Sequence, residues 1–167
     1  SEFCILQIKP MVVGVSEELT HELDLTKENV VCHSSLTLGN GQFNDIIDII
    51  FVDPAKFKSA QSKVIAREIE TLTAQLGTKT PYILVGPGRW GTADPWLGIP
   101  VKWQQISGAK IIVEVGLPEF PVDPSFGSHF FQNITSMRLG YFTVNHKSKE
   151  DMLDMKWLKG QKIIQEL

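Results

Sequence analysis

Phe43-Asn44-Asp45-Ile46-Ile47-Asp48-Ile49-Ile50-Phe51-Val52 runs directly into Asp53-Pro54, and this junction decides the fold class. The apolar run reads as a strand with both faces partly covered. Asp53 suits a helix N-cap and Pro54 the first helical position, where a missing N–H costs nothing. Phe57, Ala60, Val64, Ile65, Ile69, Leu72 and Leu76 follow at helical spacing, and Gly77 closes the helix. The next apolar run, Tyr82-Ile83-Leu84-Val85, is a second strand. Strand, long helix, strand is the pattern of a crossover between parallel strands.

Working outward, Val30 to Gly39 is rich in strand formers and ends in the turn signal Gly39-Asn40-Gly41. Residues 11–29 are irregular and read as a linker or edge segment. Phe3 to Pro10 reads as a strand stopped by proline, and a chain that opens in mid-strand is expected to be a segment of a longer protein. On the other side, seven of the nine prolines and seven of the thirteen glycines fall between Pro81 and Gly127, which makes this the loop-built half. Lys110 to Val115 is a strand within it. Ser128 can cap a short helix that turns Phe130, Phe131 and Ile134 inward. Arg138 to Val144 reads as the last core strand. Lys149 to Leu167 reads as a charged helical tail, broken near Gly160. The expected architecture is α/β, a mixed, partly parallel sheet with a long crossover helix and Pro/Gly-rich loops. Its central domain spans residues 30–146 and its helical tail residues 147–167.

Composition narrows the function classes. The formal net charge is -3, which argues against nucleic acid as a partner. No apolar run approaches the roughly 20 residues that cross a bilayer, and the N-terminus has no signal-peptide pattern, so no membrane partner and a cytoplasmic location are expected. Cys4 and Cys32 lie in strand-like surroundings and read as buried thiols; neither belongs to a CxxC pair that would suggest zinc. The sequence sets no oligomeric state.

The chemistry is expected in Gly86-Pro87-Gly88-Arg89-Trp90-Gly91-Thr92-Ala93-Asp94-Pro95-Trp96. A strand running into a glycine-rich loop with one cation can present N–H groups and charge to an anion, at the edge where open α/β sheets bind ligands. The same residues also suit a tight turn whose tryptophans cover the core. Arg89 can hold a phosphate or carboxylate, or pair with Asp94 or another carboxylate to lock the loop. His129, near a helix start, can meet an anion or tie down the Asp123-Pro124 loop, with Gln132 and Asn133 as hydrogen-bonding neighbours in either case. Trp90, Trp96 and Trp103 can form a stacking wall or a local core. Asp45, Asp48 and Asp53 sit at spacings that do not cluster, so no metal site is assigned.

Several stretches resemble a known family. Leu6-Gln7-Ile8-Lys9-Pro10 resembles the Leu-Gln-x-Arg-Pro strand that ends the ATP-grasp nucleotide-binding domain of phosphoenolpyruvate synthases and pyruvate phosphate dikinases. Gly86 to Gly91, Asp94 to Val101 and Gly127-Ser128-His129-Phe130-Phe131-Gln132-Asn133 resemble the region that follows that domain in large bacterial proteins of this kind. The resemblance implies a C-terminal accessory part of an ATP-dependent phosphotransferase, with ATP and Mg as cofactors of the parent protein and none in this segment. It implies an upstream ATP-grasp domain as partner, to which residues 1–10 supply the terminal strand. Gln7 and Lys9 stand where the family holds nucleotide phosphates; lysine keeps the charge but lacks arginine's planar fork. Cys32-His33-Ser34-Ser35 is similar to the phosphocarrier histidine motif of these enzymes, although Glu28-Asn29-Val30-Val31 replaces its glycine pair and threonine. The resulting ligand site would comprise Gly86, Gly88, Arg89, Trp90, Gly91, Asp94, His129, Gln132 and Asn133, holding a small anion. A second reading is an interaction or regulatory module that docks the ATP-grasp domain or another subunit.

Overall fold

The computed structural model describes residues 30–39, 42–77, 80–118, 132–134 and 136–167. The strand expected over residues 3–10, the segment 11–29, the turn at residues 40–41, the Ser128 cap and the residues Gln7, Lys9 and His129 lie outside them.

The junction that opened the reading forms the expected crossover. Strand β3 (Asp48–Phe51) is joined by helix α1 (Ser62–Leu76) to β4 (Tyr82–Pro87), and the two strands pair in parallel with Asp48 beside Tyr82. Strands β7 (Ala109–Val115) and β8 (Gly140–Val144) continue the sheet in parallel, and β2 (Leu36–Leu38) closes its far edge antiparallel to β8. The order across the five strands is β2-β8-β7-β4-β3. The fold is therefore α/β with a mixed sheet.

Side chains alternate between two cores, as the two-residue period of a strand requires. Ile50, Tyr82, Leu84, Ile112 and Tyr141 face one core, where Ala66 and Ile69 of α1 meet Trp90, Ile99, Val101, Ile106 and Ile134 from the other connections. Val85, Val113 and Val144 face the second core, against Leu158, Cys32 and Leu153. Each fully buried aliphatic side chain contributes roughly 1.5–3 kcal/mol through removal from water.

The structure redraws four expected boundaries. The helix does not begin at Asp53: its Oδ1 accepts from the Ala55 N–H and closes a turn, a 3-10 turn spans Ser59–Gln61, and α1 starts at Ser62. Gly77 does end it, with φ of 83°. Val64, expected on the core face, is 53% exposed. The strand over Phe43 to Val52 shrinks to Asp48–Phe51, and Ile47 stands 85% exposed beyond the point where β4 offers a partner.

The single strand expected over Val30 to Gly39 is two. β1 (Cys32–His33) and β2 belong to different ladders because Ser34 folds the chain between them, its Oγ accepting from the Leu36 N–H and donating to the Thr143 carbonyl. The C-terminal segment is not a helical tail. β9 (Met152–Leu153) pairs antiparallel with β1, and only a short helix α2 (Met155–Lys159) follows, capped by Asp154 Oδ1 on the Trp157 N–H. Competition from this strand pairing, which charge pattern does not reveal, displaces the helix. No helix among the described residues is long and apolar enough to cross a membrane.

Candidate functional site

The four parallel strands end along one edge, and the segments leaving β3, β4 and β7 converge there. Pro54 and Phe57 follow β3, Trp96 lies on the β4 loop, and Leu117 and Pro118 follow β7; together with Lys58, Ser59 and Ala60 they line a cleft of about 500 Å³. The carboxyl edge of the parallel strands is where this class of sheet leaves a crevice between diverging connections.

The glycine-rich loop supports this edge from within. β5 (Arg89–Trp90) and β6 (Gly98–Ile99) pair in parallel, so the loop closes back on itself. The Gly88 N–H donates to the Val115 carbonyl (2.9 Å), that of Arg89 to Leu97 (2.8 Å), and that of Gly91 to Ile99 (2.9 Å). The Trp90 N–H donates to Glu114 Oε1 at 3.0 Å. These four N–H groups are engaged within the chain and are not open to an anion. Gly88 has φ of 70°, and a Cβ there would stand 2.6 Å from the Leu97 carbonyl oxygen. Gly86 leaves room for the Trp90 ring, which a Cβ would meet at 2.6 Å.

The expected site residues thus separate. Gly86, Gly88 and Trp90 are buried, Arg89 is half-buried, and Gly91 and Asp94 are exposed. The three tryptophans form no single wall. Trp90 lies in the first core with its Nε1 donating to the Val113 carbonyl (3.2 Å), Trp103 packs against that core, and Trp96 is 64% exposed at the cleft. Asp94 Oδ1 accepts from the Trp96 N–H at 2.9 Å, closing its own turn. Gln132 is exposed and Asn133 half-buried, in a helical turn whose Ile134 enters the core. Neither lines the cleft.

His33 occupies a separate hollow of about 330 Å³ with Val30, Glu150 and Met152. Its Nδ1 lies 2.7 Å from the Glu150 carbonyl, which selects the tautomer with a proton on Nδ1 and leaves Nε2 as the acceptor. Among the described residues, no group of three metal-ligating side chains assembles. Asp53 is half-buried: burial raises its pKa, but hydrogen bonds from Lys159 and the Ala55 N–H bring it below the ordinary value.

Glu114 is the residue that sequence reading missed. It is fully buried and lies in register between Gly86 of β4 and Thr143 of β8. Oε1 takes the Trp90 N–H and Oε2 the Tyr141 hydroxyl at 2.6 Å, so one carboxyl on β7 ties the glycine loop to the neighbouring strand β8. Burial pushes its pKa up to about 7 despite those hydrogen bonds and the nearby Arg89 guanidinium. A signal existed in Ile111-Ile112-Val113-Glu114-Val115, because a carboxylate inside an otherwise apolar parallel strand needs dedicated partners. The cleft residues Lys58 and Leu117 carried no such signal; only folding brings them near Trp96.

The fold and edge define an α/β domain with a mixed, mainly parallel sheet and a cleft at its carboxyl edge. Comparison with known protein families, characterised proteins and solved structures finds no match.

Proposed function

We propose that the chain is a C-terminal accessory domain of a phosphoenolpyruvate synthase-like, ATP-dependent phosphotransferase, and that it binds a small anionic ligand at the outer end of the Gly86–Trp96 loop. The motifs quoted above support the family reading. The observation that carries the ligand reading is the cleft at the carboxyl strand edge, lined by both Trp96 and Lys58. The N–H groups of Gly88, Arg89, Trp90 and Gly91 are engaged inside the chain, and Lys58, a cationic residue, lines the opening.

The test is a titration of the chain with ATP, phosphoenolpyruvate, pyruvate and phosphate, followed by NMR. Shifts clustered on Lys58, Ser59 and Trp96, and lost in Lys58→Ala, are the expected result. Silence toward all four sinks this reading.

A docking module is the second reading, favoured by the exposure of Trp96 and Leu97 on a loop braced from inside. It predicts that an upstream ATP-grasp domain of the parent protein broadens those resonances while the four anions leave them unmoved.

A further inference from the structure

Resting on the ligand reading above, we infer that the cleft takes a ligand with a planar apolar ring as well as a single acidic group, rather than a bare small anion. The walls decide this. Among the described residues, Pro54, Phe57, Leu117, Pro118 and Trp96 line the opening with Ala60, and the polar side chains there are Lys58 and Ser59. Phosphate or pyruvate matches only a few water molecules in size, each taking about 30 Å³, and would leave most of a 500 Å³ space with apolar walls against water. Small-molecule sites of this size are typically apolar with a few placed polar groups.

Trp96 is held as a rim for such a ring. Its backbone N–H donates to Asp94 Oδ1 and the Leu97 N–H to the Asp94 carbonyl (3.1 Å), so the turn is closed while the indole remains 64% exposed. A large amphipathic ring held on a closed turn offers stacking area with little further loss of freedom.

Charge around the cleft selects the sign of the ligand. Asp53 is paired with Lys159 at 2.9 Å and Lys56 with Glu166 at 3.1 Å. Lys58 has no ionic partner among the described residues. An ammonium with no ionic partner among the described residues, beside an apolar wall, matches one carboxylate or phosphate on an aromatic body. The shared chemistry is the ring-bearing acid, and the two acid types are separated by the probes.

The experiment follows the Trp96 indole N–H and the Lys58 and Ser59 amides by NMR on the whole chain. Benzoate, phenyl phosphate, benzamide and inorganic phosphate are titrated separately. Benzoate or phenyl phosphate is expected to give saturable shifts, and whichever binds tighter identifies the acid. Benzamide and phosphate should bind at least about ten-fold more weakly than that probe. Lys58→Ala and Trp96→Ala should each weaken it at least about five-fold; both side chains are exposed, so the remaining spectrum should be unchanged. If inorganic phosphate binds as tightly as phenyl phosphate, the ring is irrelevant and this inference falls while the anionic reading stands. If benzamide matches benzoate, the acid is irrelevant and both fall. Absence of shifts with every probe overturns this inference, and the anionic reading then stands or falls on the titrations with ATP, phosphoenolpyruvate and pyruvate.

Discussion

Glu114→Gln should reverse its effect on stability between pH 4 and pH 8. In the folded chain the Glu114 carboxyl has its pKa pushed from 4.5 up to about 7, chiefly by burial. The native state therefore holds a proton that the unfolded chain releases, and stability falls as pH rises through this window. The stability linked to the proton is fully present below pH 4.5 and has been lost above pH 7. Each pKa unit corresponds to about 1.4 kcal/mol, so the loss across the window is roughly 3 kcal/mol. Glutamine removes the titration and keeps the shape. Its carbonyl can still accept the Trp90 N–H, but its NH2 stands where Oε2 accepts the Tyr141 hydroxyl. The weakened second bond costs about 1 kcal/mol. The variant should accordingly be about 1 kcal/mol less stable than wild type at pH 4 and about 2 kcal/mol more stable at pH 8. Urea unfolding followed by tryptophan fluorescence at each pH measures both curves. Titration of Asp53 and Asp151 is common to the two proteins and cancels in the difference. Parallel curves from pH 4 to pH 8 would refute the reasoning, because Glu114 would then ionise alike in the folded and unfolded chains.

Gly88→Ala combines a φ of 70° with a Cβ 2.6 Å from the Leu97 carbonyl oxygen, and should destabilise by at least about 1–3 kcal/mol. An unchanged urea midpoint counts against the description of this loop as closed on itself. Ile69→Ala empties a site that is 2% exposed between α1 and the sheet and should cost about 2–5 kcal/mol, read from the same unfolding curves. Burial raises the Asp151 pKa, but hydrogen bonds from Ser35 and Asn145 outweigh it, so the net shift is downward. Its contribution is present above pH 3.8 and is lost as pH falls through the depressed pKa; Asp151→Asn, unable to accept from both Ser35 and Asn145, should lose about 1–2 kcal/mol at pH 7. Burial and the neighbouring Asp151 push the Cys32 thiol up to about 12, so iodoacetamide at pH 8 should leave it unmodified in the folded chain while labelling it in urea. Peptide mass spectrometry distinguishes the outcomes, and rapid native labelling at Cys32 would contradict its raised pKa.

How much of this was legible in the chain follows from the range of each interaction. The parallel crossover could be read from residues 43–85 because its signals are local: an apolar run, a helical period closed by glycine, and a second apolar run. Strands β7 and β8 were legible for the same reason. Boundaries failed where a side chain close in sequence competed with the regular pattern. Asp53 spent its oxygen on the Ala55 N–H, and Ser34 folded an expected strand into two. The C-terminal segment failed for a different cause, since its strand pairs with β1 about 120 residues earlier and no local period encodes that partner.

The glycine loop could be read as special from its composition, and its tertiary contacts decide what that composition does. Gly86 and Gly88 admit a ring and a carbonyl from the loop itself, and Glu114, on the strand beside β4, accepts the Trp90 N–H. The sequence by itself determined the α/β class and the position of the loop at a strand end, because apolar periodicity and turn residues act over a few positions. Only the tertiary structure decided that the N–H groups of Gly88, Arg89, Trp90 and Gly91 are engaged, that Glu114 is buried, and that Lys58 and Trp96 border one cleft. Those outcomes depend on which strand ends converge in space, a quantity set by packing the whole sheet.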